Sequence, residues 1–117
     1  MNAMAKLELP GLEKIRDRFV DMLDARKTDI ARHALAAWDG ETAQEITDNL
    51  TAAKATLHLI AGTAGTVGFS ELGHNAQQCE QEIINHLEGP YADLAVCPGE
   101  IIWRIDTFVA SCNEISS

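Results

Sequence analysis

His58 stands in the run Leu57-His58-Leu59-Ile60-Ala61-Gly62-Thr63-Ala64-Gly65-Thr66-Val67-Gly68. At about 100° per residue, with His58 set to zero, Ile46, Leu50, Ala53, Leu57, Ile60 and Val67 share an arc of roughly 180° to 280° on one helix. His58 lies well outside that arc. Its neighbours on the same face are Thr51, Lys54 and Ala55 before it and Ala61, Gly62 and Gly65 after it, all small except Lys54. Each glycine inside a helix costs roughly 0.8–1 kcal/mol relative to alanine, so Gly62 and Gly65 predict that something approaches this backbone closely. Two readings fit: a partner docks around an accessible imidazole, or another helix packs on the glycines and His58 is an ordinary surface histidine. Gly62, Gly65 and Gly68 do not form a phosphate-cradling loop, because a helix precedes them where a strand is needed and no Gly-Lys-Ser/Thr follows.

The elements that position this run are helical. Leu12, Ile15, Phe19, Met22 and Leu23 step by threes and fours, and Ile30, Ala34, Ala37 and Trp38 extend the stripe less cleanly into one long helix, with a break near Thr28 as the alternative. Asp39-Gly40 punctuates the chain, and Thr42-x-x-Glu45 predicts a capping box opening the His58 helix, whose inward stripe runs from Ile46 to Val67. Leu72, Ala76, Cys79, Ile83 and Leu87 mark a third helix, with Ser70 as its N-cap and Gly89-Pro90 as its stop. Beyond Tyr91, Leu94 and Pro98, the residues Ile101, Ile105, Phe108, Cys112 and Ile115 mark a fourth. Strand patterns are nearly absent. The expected fold is all-α: an up-down-up-down antiparallel four-helix bundle with an extended N-terminal helix, one domain over residues 1–117.

Composition narrows the partners. Nine Lys and Arg against 18 Asp and Glu give a net charge of -9, which argues against nucleic acid and against an anionic membrane surface. Seven of the nine bases fall in residues 1–33, so Lys54 and Arg104 are the only ones after Arg32. The start, Met-Asn-Ala-Met-Ala-Lys, has no signal-peptide apolar stretch, and no window approaches the roughly 18 apolar residues of a membrane span. A soluble, cytoplasmic protein is expected. Cys79, Cys97 and Cys112 are an odd set with no Cys-x-x-Cys pair, which predicts reduced, mostly buried thiols.

The pattern His58-x-Ile60-x-Gly62-Thr63-Ala64-Gly65-x-Val67-Gly68, followed by Leu72, Ala76 and Cys79-Glu80, resembles the signature of histidine-containing phosphotransfer (HPt) domains. It covers about a quarter of the chain. The resemblance implies a phosphorelay intermediate: His58 accepts a phosphoryl group from a receiver-domain aspartyl phosphate and passes it to another response-regulator receiver. Hybrid histidine kinases and receivers are the implied partners, and Mg²⁺ is expected on the receiver, with no cofactor on this chain. An ordinary imidazole titrates near 6.5 and so keeps a ring lone pair for in-line attack at neutral pH. The family often has a lysine three places after the histidine; here that place is Ala61, and Lys54, one turn before His58, is the substitute candidate for steadying the phosphoryl oxygens. The family's ring-orienting side chain on the next helix falls at Glu80, with Gln77 or Gln81 as alternatives. Gly62 and Gly65 would admit the receiver. The resemblance implies a phosphocarrier without its own nucleotide site.

His33, His74 and His86 lack a clearing of small residues and are expected at surface or boundary positions. Glu71 and His74 have di-metal spacing but no second pair to complete a cage. No metal ligand set and no hydrolase triad is indicated. Two other functions compete with phosphotransfer: a non-transferring bundle that binds and inhibits a receiver or kinase, and a structural oligomer, for which an exposed apolar stripe would be expected.

Overall fold

The computed structural model describes residues 11–116. The segment read for a targeting signal, residues 1–6, lies outside them. Four helices follow in order: α1 (Leu12–Trp38), α2 (Ala43–Ala64), α3 (Ser70–Leu87) and α4 (Gly99–Ser116), with a 3₁₀ turn at Gly65–Val67 between α2 and α3. No strand occurs among the described residues.

Contacts between elements give the topology. Arg16 meets Val67 and His33 meets Asn49, so α1 and α2 run antiparallel. Gly73 lies against Ala64, and His58 bonds Glu80, which sets α3 antiparallel to α2. Lys27 bonds Asn113 while Trp38 lies over Gly99, closing the ring with α4 antiparallel to α1. The architecture is the up-down-up-down bundle that the helical stripes predict, with α1 its longest helix at 27 residues.

One core runs through all four helices, from Phe19, Leu23 and Ile30 through Leu50, Leu57 and Ile60 to Ile83, Ile105, Phe108 and Cys112. Three members of the expected α1 stripe depart from it: Ile15, Met22 and Trp38 are exposed. A 3.6-residue period carries a stripe only a few turns before a neighbouring register takes over, so these three fall on the rims of α1. Nor does α1 break at Thr28. The Thr28 hydroxyl donates to the Asp24 carbonyl one turn back at 3.0 Å, which seats it within a continuous helix.

Thr42 is the N-cap of α2 and accepts from Glu45 N–H at 3.1 Å, while the Glu45 carboxylate accepts from Glu41 N–H at 3.2 Å. The capping box is therefore present, with its return bond one residue earlier than in the standard form. The corner before it needs Gly40, where a Cβ would stand 2.8 Å from Ile46 Cγ1. Regular α-helix ends at Ala64, short of the expected Val67, although Val67 stays buried. Gly68, at φ +95°, forms a Schellman closure: Phe69 N–H returns to the Ala64 carbonyl at 2.8 Å and Gly68 N–H to that of Gly65 at 3.2 Å. Ser70 is not the N-cap of α3; Phe69 holds that position and Ser70 is the first helical residue, because the preceding turn consumes one residue more than a simple cap.

No helix among the described residues is long and apolar enough to cross a membrane. Cys79, Cys97 and Cys112 are buried and free, as an odd set without a Cys-x-x-Cys pair predicts; Cys79 and Cys112 lie on the apolar stripes of α3 and α4, and Cys97 in the connection between them. Burial pushes the Cys79 thiol up to about 12, against a smaller lowering by Arg104, and the Cys112 thiol up to about 12, against a smaller lowering by Lys27. A raised thiol pKa in the folded state contributes stability that is complete below the unfolded value near 9 and is lost as pH rises toward 12. Alkylation of the native chain by iodoacetamide at pH 8.5 should therefore leave Cys79 and Cys112 unmodified over hours, whereas urea-unfolded chain labels at all three thiols within minutes. Rapid native labelling at either residue, read by mass spectrometry, would contradict the burial.

Candidate functional site

His58 sits one and a half turns before the end of α2, and its side chain is 74% exposed. The inner arc of the helix, Ile46, Leu50, Ala53, Leu57, Ile60 and Ala64, is buried, so apolar burial rotates His58 toward the α3 side of the outer face. Its Nδ1 lies 2.8 Å from Glu80 Oε2, and the Glu80 side chain is only 14% exposed. A carboxylate only accepts, so the contact places the ring proton on Nδ1 and leaves the Nε2 lone pair on the exposed edge.

Glu80 reaches the ring because α3 lies close to α2. Leu72, Ala76, Cys79 and Ile83 form its buried stripe, and Glu80 follows Cys79 on the flank that faces α2. The close approach occurs at Gly73, where a Cβ would lie 3.3 Å from Ala64 Cβ, 3.5 Å from the Ala61 carbonyl and 3.6 Å from Gly65 N. Gly73 lies outside the glycine-containing run that follows His58. Its only signal is an unexplained glycine inside a strongly periodic helix. Of the alternative ring partners, Gln81 Nε2 donates instead to Asn85 Oδ1 at 3.0 Å, and Gln77 is exposed with no hydrogen-bond partner among the described residues.

Gly62 and Gly65 behave differently from Gly73. A Cβ on Gly62 would meet nothing within 4 Å, and one on Gly65 would meet only Ser70 Oγ, at 4.0 Å. Neither glycine is needed for packing among the described residues, which disfavours the reading in which another helix of this chain packs upon them. Lys54 is half-buried one turn before His58 and makes no ion pair among the described residues; Asp48, its obvious partner, accepts from Gln44 Nε2 at 2.7 Å. Ala61 is half-buried at the α3 edge of the clearing. The clearing has one large member that counting small neighbours misses: Leu59, 54% exposed and next to His58 on the side toward α1. Its signal was its position off the buried arc.

The remaining histidines lie elsewhere. His33 Nδ1 bonds Asn49 Oδ1 at 2.9 Å and its Nε2 is 3.8 Å from Asp29, a half-buried bridge between α1 and α2. His74 is exposed beside Gln78, and His86 is half-buried in the last turn of α3. No cluster of three or more His, Cys, Asp or Glu side chains that could hold a metal ion occurs among the described residues. What the geometry offers is a nucleophilic Nε2 on an open face, with its second nitrogen held by a carboxylate.

No curated protein and no solved structure gives a significant match to the chain. A family model does: the Hpt domain matches residues 14–102, well over half of the chain, a span that contains Lys54, His58, Gly62, Gly65, Gly73 and Glu80. Domains of this family take part in histidine phosphotransfer in two-component systems, and their helical-bundle architecture is the one seen here. With its helical bundle and with the match spanning most of its length, this chain belongs to the Hpt domain family.

Proposed function

We propose that the protein is a cytoplasmic phosphorelay intermediate, acting as one domain over residues 1–117, that accepts a phosphoryl group on His58 Nε2 from a receiver aspartyl phosphate and delivers it to a second response-regulator receiver. The hybrid histidine kinase and its receivers are the partners. The observation that carries this reading is the 2.8 Å contact of Nδ1 with Glu80 on a ring whose other nitrogen faces solvent. In the forward step the Nε2 lone pair attacks phosphorus in line, the bond from phosphorus to the acyl oxygen breaks, and its electron pair returns to the receiver carboxylate. The ring then carries a positive charge, which the adjoining Glu80 carboxylate neutralises while Nδ1 keeps its proton. In the second step a receiver carboxylate oxygen attacks phosphorus and the P–N electron pair returns to Nε2. No proton has to enter or leave the ring in either direction. Mg²⁺ and the acidic cluster that binds it belong to the receiver, and no cofactor is assigned to this chain.

Lys54 is proposed to steady the phosphoryl oxygens in place of a side chain at Ala61. Its support is a single turn of helical spacing and the absence of a competing ion pair among the described residues. Gly62 and Gly65 leave backbone bare beside the ring so that a receiver can come down on it. Exposed Leu59, with Met22 and Ile15 on the rim of α1 that faces α2, offers that receiver an apolar contact. The retained, open His58 disfavours a non-transferring inhibitor.

Phosphorylated receivers from the same genome, incubated with the protein, should transfer label to His58, acid-labile and abolished in His58→Gln. Binding without transfer would identify an inhibitor instead. Glu80→Gln keeps the size of the side chain and removes the charge, so label should still reach His58 but roughly tenfold more slowly, as for other groups that orient a reacting side chain. An unchanged rate in stopped-flow transfer would remove Glu80 from the mechanism. Gly62→Leu separates folding from docking. Gaining helix propensity, it should raise stability by about 0.5–1 kcal/mol in urea titration, while transfer from a receiver falls on the order of tenfold or more, about 1.4 kcal/mol of lost complementarity. Full transfer activity in Gly62→Leu would show that no receiver passes over this backbone.

A further inference from the structure

The carboxyl end of the His58 helix is held from outside. The Schellman closure uses the carbonyls of Ala64 and Gly65 and leaves that of Val67 over. Arg16 of α1 donates to it through Nε at 2.9 Å. The guanidinium runs alongside Gly68, where a Cβ would lie 3.8 Å from Nη2 and 3.9 Å from Nε. One turn further along α1, Phe19 stacks on Phe69 with ring centroids 5.6 Å apart and planes 23° from parallel. The last turn of α2 contains no basic residue of its own, so Arg16 supplies positive charge where the helix dipole ends negative.

This double contact falls on the stretch whose own helix-forming tendency is weakest. Gly62 and Gly65 lie in it, the helix narrows to 3₁₀ geometry after Ala64, and nothing among the described residues presses on the outer side of Gly62. Bare backbone that must stay accessible in front can be kept ordered only from behind or from its end. Val67 is nine residues beyond His58, about 13 Å along the helix, so a contact there has no direct reach to the ring.

We propose that Arg16 is a positioning residue for phosphotransfer: by clamping the Gly65–Phe69 turn onto α1, it keeps the Gly62–Gly68 surface in the shape a receiver domain docks on, and takes no part in the chemistry at His58. This rests on the phosphocarrier reading. The amino-terminal third of α1 is then part of the docking apparatus as well as a wall of the bundle.

The test uses the full chain with Arg16→Ala and Arg16→Lys, the latter keeping charge and a donor. Three readouts are compared: amide hydrogen exchange, direct phosphorylation of His58 by phosphoramidate, and transfer from the panel of phosphorylated receivers. In Arg16→Ala, exchange at Ala64–Phe69 should speed up by about tenfold while the α3 amides stay protected. Phosphoramidate labelling should be unchanged, and receiver transfer should show a KM raised about fivefold with little change at saturation. Arg16→Lys should recover most of the loss. Unchanged receiver KM despite faster exchange would reduce Arg16 to a stability contact and overturn the proposal, as would equal losses with phosphoramidate and receiver. If Arg16→Ala fails to fold, Arg16→Lys decides: a wild-type receiver KM supports the clamp only if exchange at Ala64–Phe69 is also wild-type, and a raised KM with wild-type exchange overturns it. Wild-type chain that phosphoramidate labels but no receiver does would overturn the phosphocarrier reading itself, and the proposal with it.

Discussion

The distance between α2 and α3 governs most of what this molecule can do. The two helices come together at Gly73, where a Cβ would stand 3.3 Å from Ala64 Cβ, so that one side would have to give. Two turns further along α3, the same closeness brings a carboxylate from a largely buried position onto the imidazole of His58. Protein interiors pass such constraints along because they are packed without slack. A wider seam would leave the ring free to rotate about its two side-chain torsions and Glu80 free to hydrate, and neither nitrogen of His58 would have an assigned role.

The two faces of α2 are built on opposite rules. Inward, Leu50, Leu57 and Ile60 are fully buried and anchor the helix through tertiary packing, which is where most helical stability in proteins originates. Outward, small residues and two glycines give up intrinsic helix propensity without a packing return among the described residues. A helix that is weak by composition on one side is kept whole by its core on the other and by its ends: Thr42 at the start, and the Gly68 turn at the finish.

Charge follows a comparable division. Most bases lie on α1 or before it, and acids dominate the rest of the chain. The helix of His58 and the one after it are therefore sparing with cations of their own: Lys54 is the only base between Arg32 and Arg104. In the phosphocarrier reading this gives Glu80 a specific part. A carboxylate close to an incoming phosphoryl dianion is repulsive unless a positive charge stands between them, and the ring, protonated at Nδ1 and bonded to phosphorus at Nε2, is that charge.

Helix number, helix order and the identity of the outward histidine were legible in the linear sequence, because each depends on spacing along one helix and apolar residues at steps of three and four have one stable use. The capping signal at Thr42 and Glu45 was legible for the same reason, as was the burial of Cys79 and Cys112 on their helical stripes. What needed the folded chain was every fact about two helices at once. Ile15, Met22 and Trp38 lie on rims because neighbouring helices cover only part of α1. Glu80, and neither Gln77 nor Gln81, meets the ring because Gly73 fixes the seam and its register. Gly62, Gly65 and Gly73 look alike as letters, yet among the described residues the first two have little or nothing in front of them and the third has a helix. A sequence specifies which residues can share a face; the gap between faces is decided only when side chains from distant segments compete for the same volume.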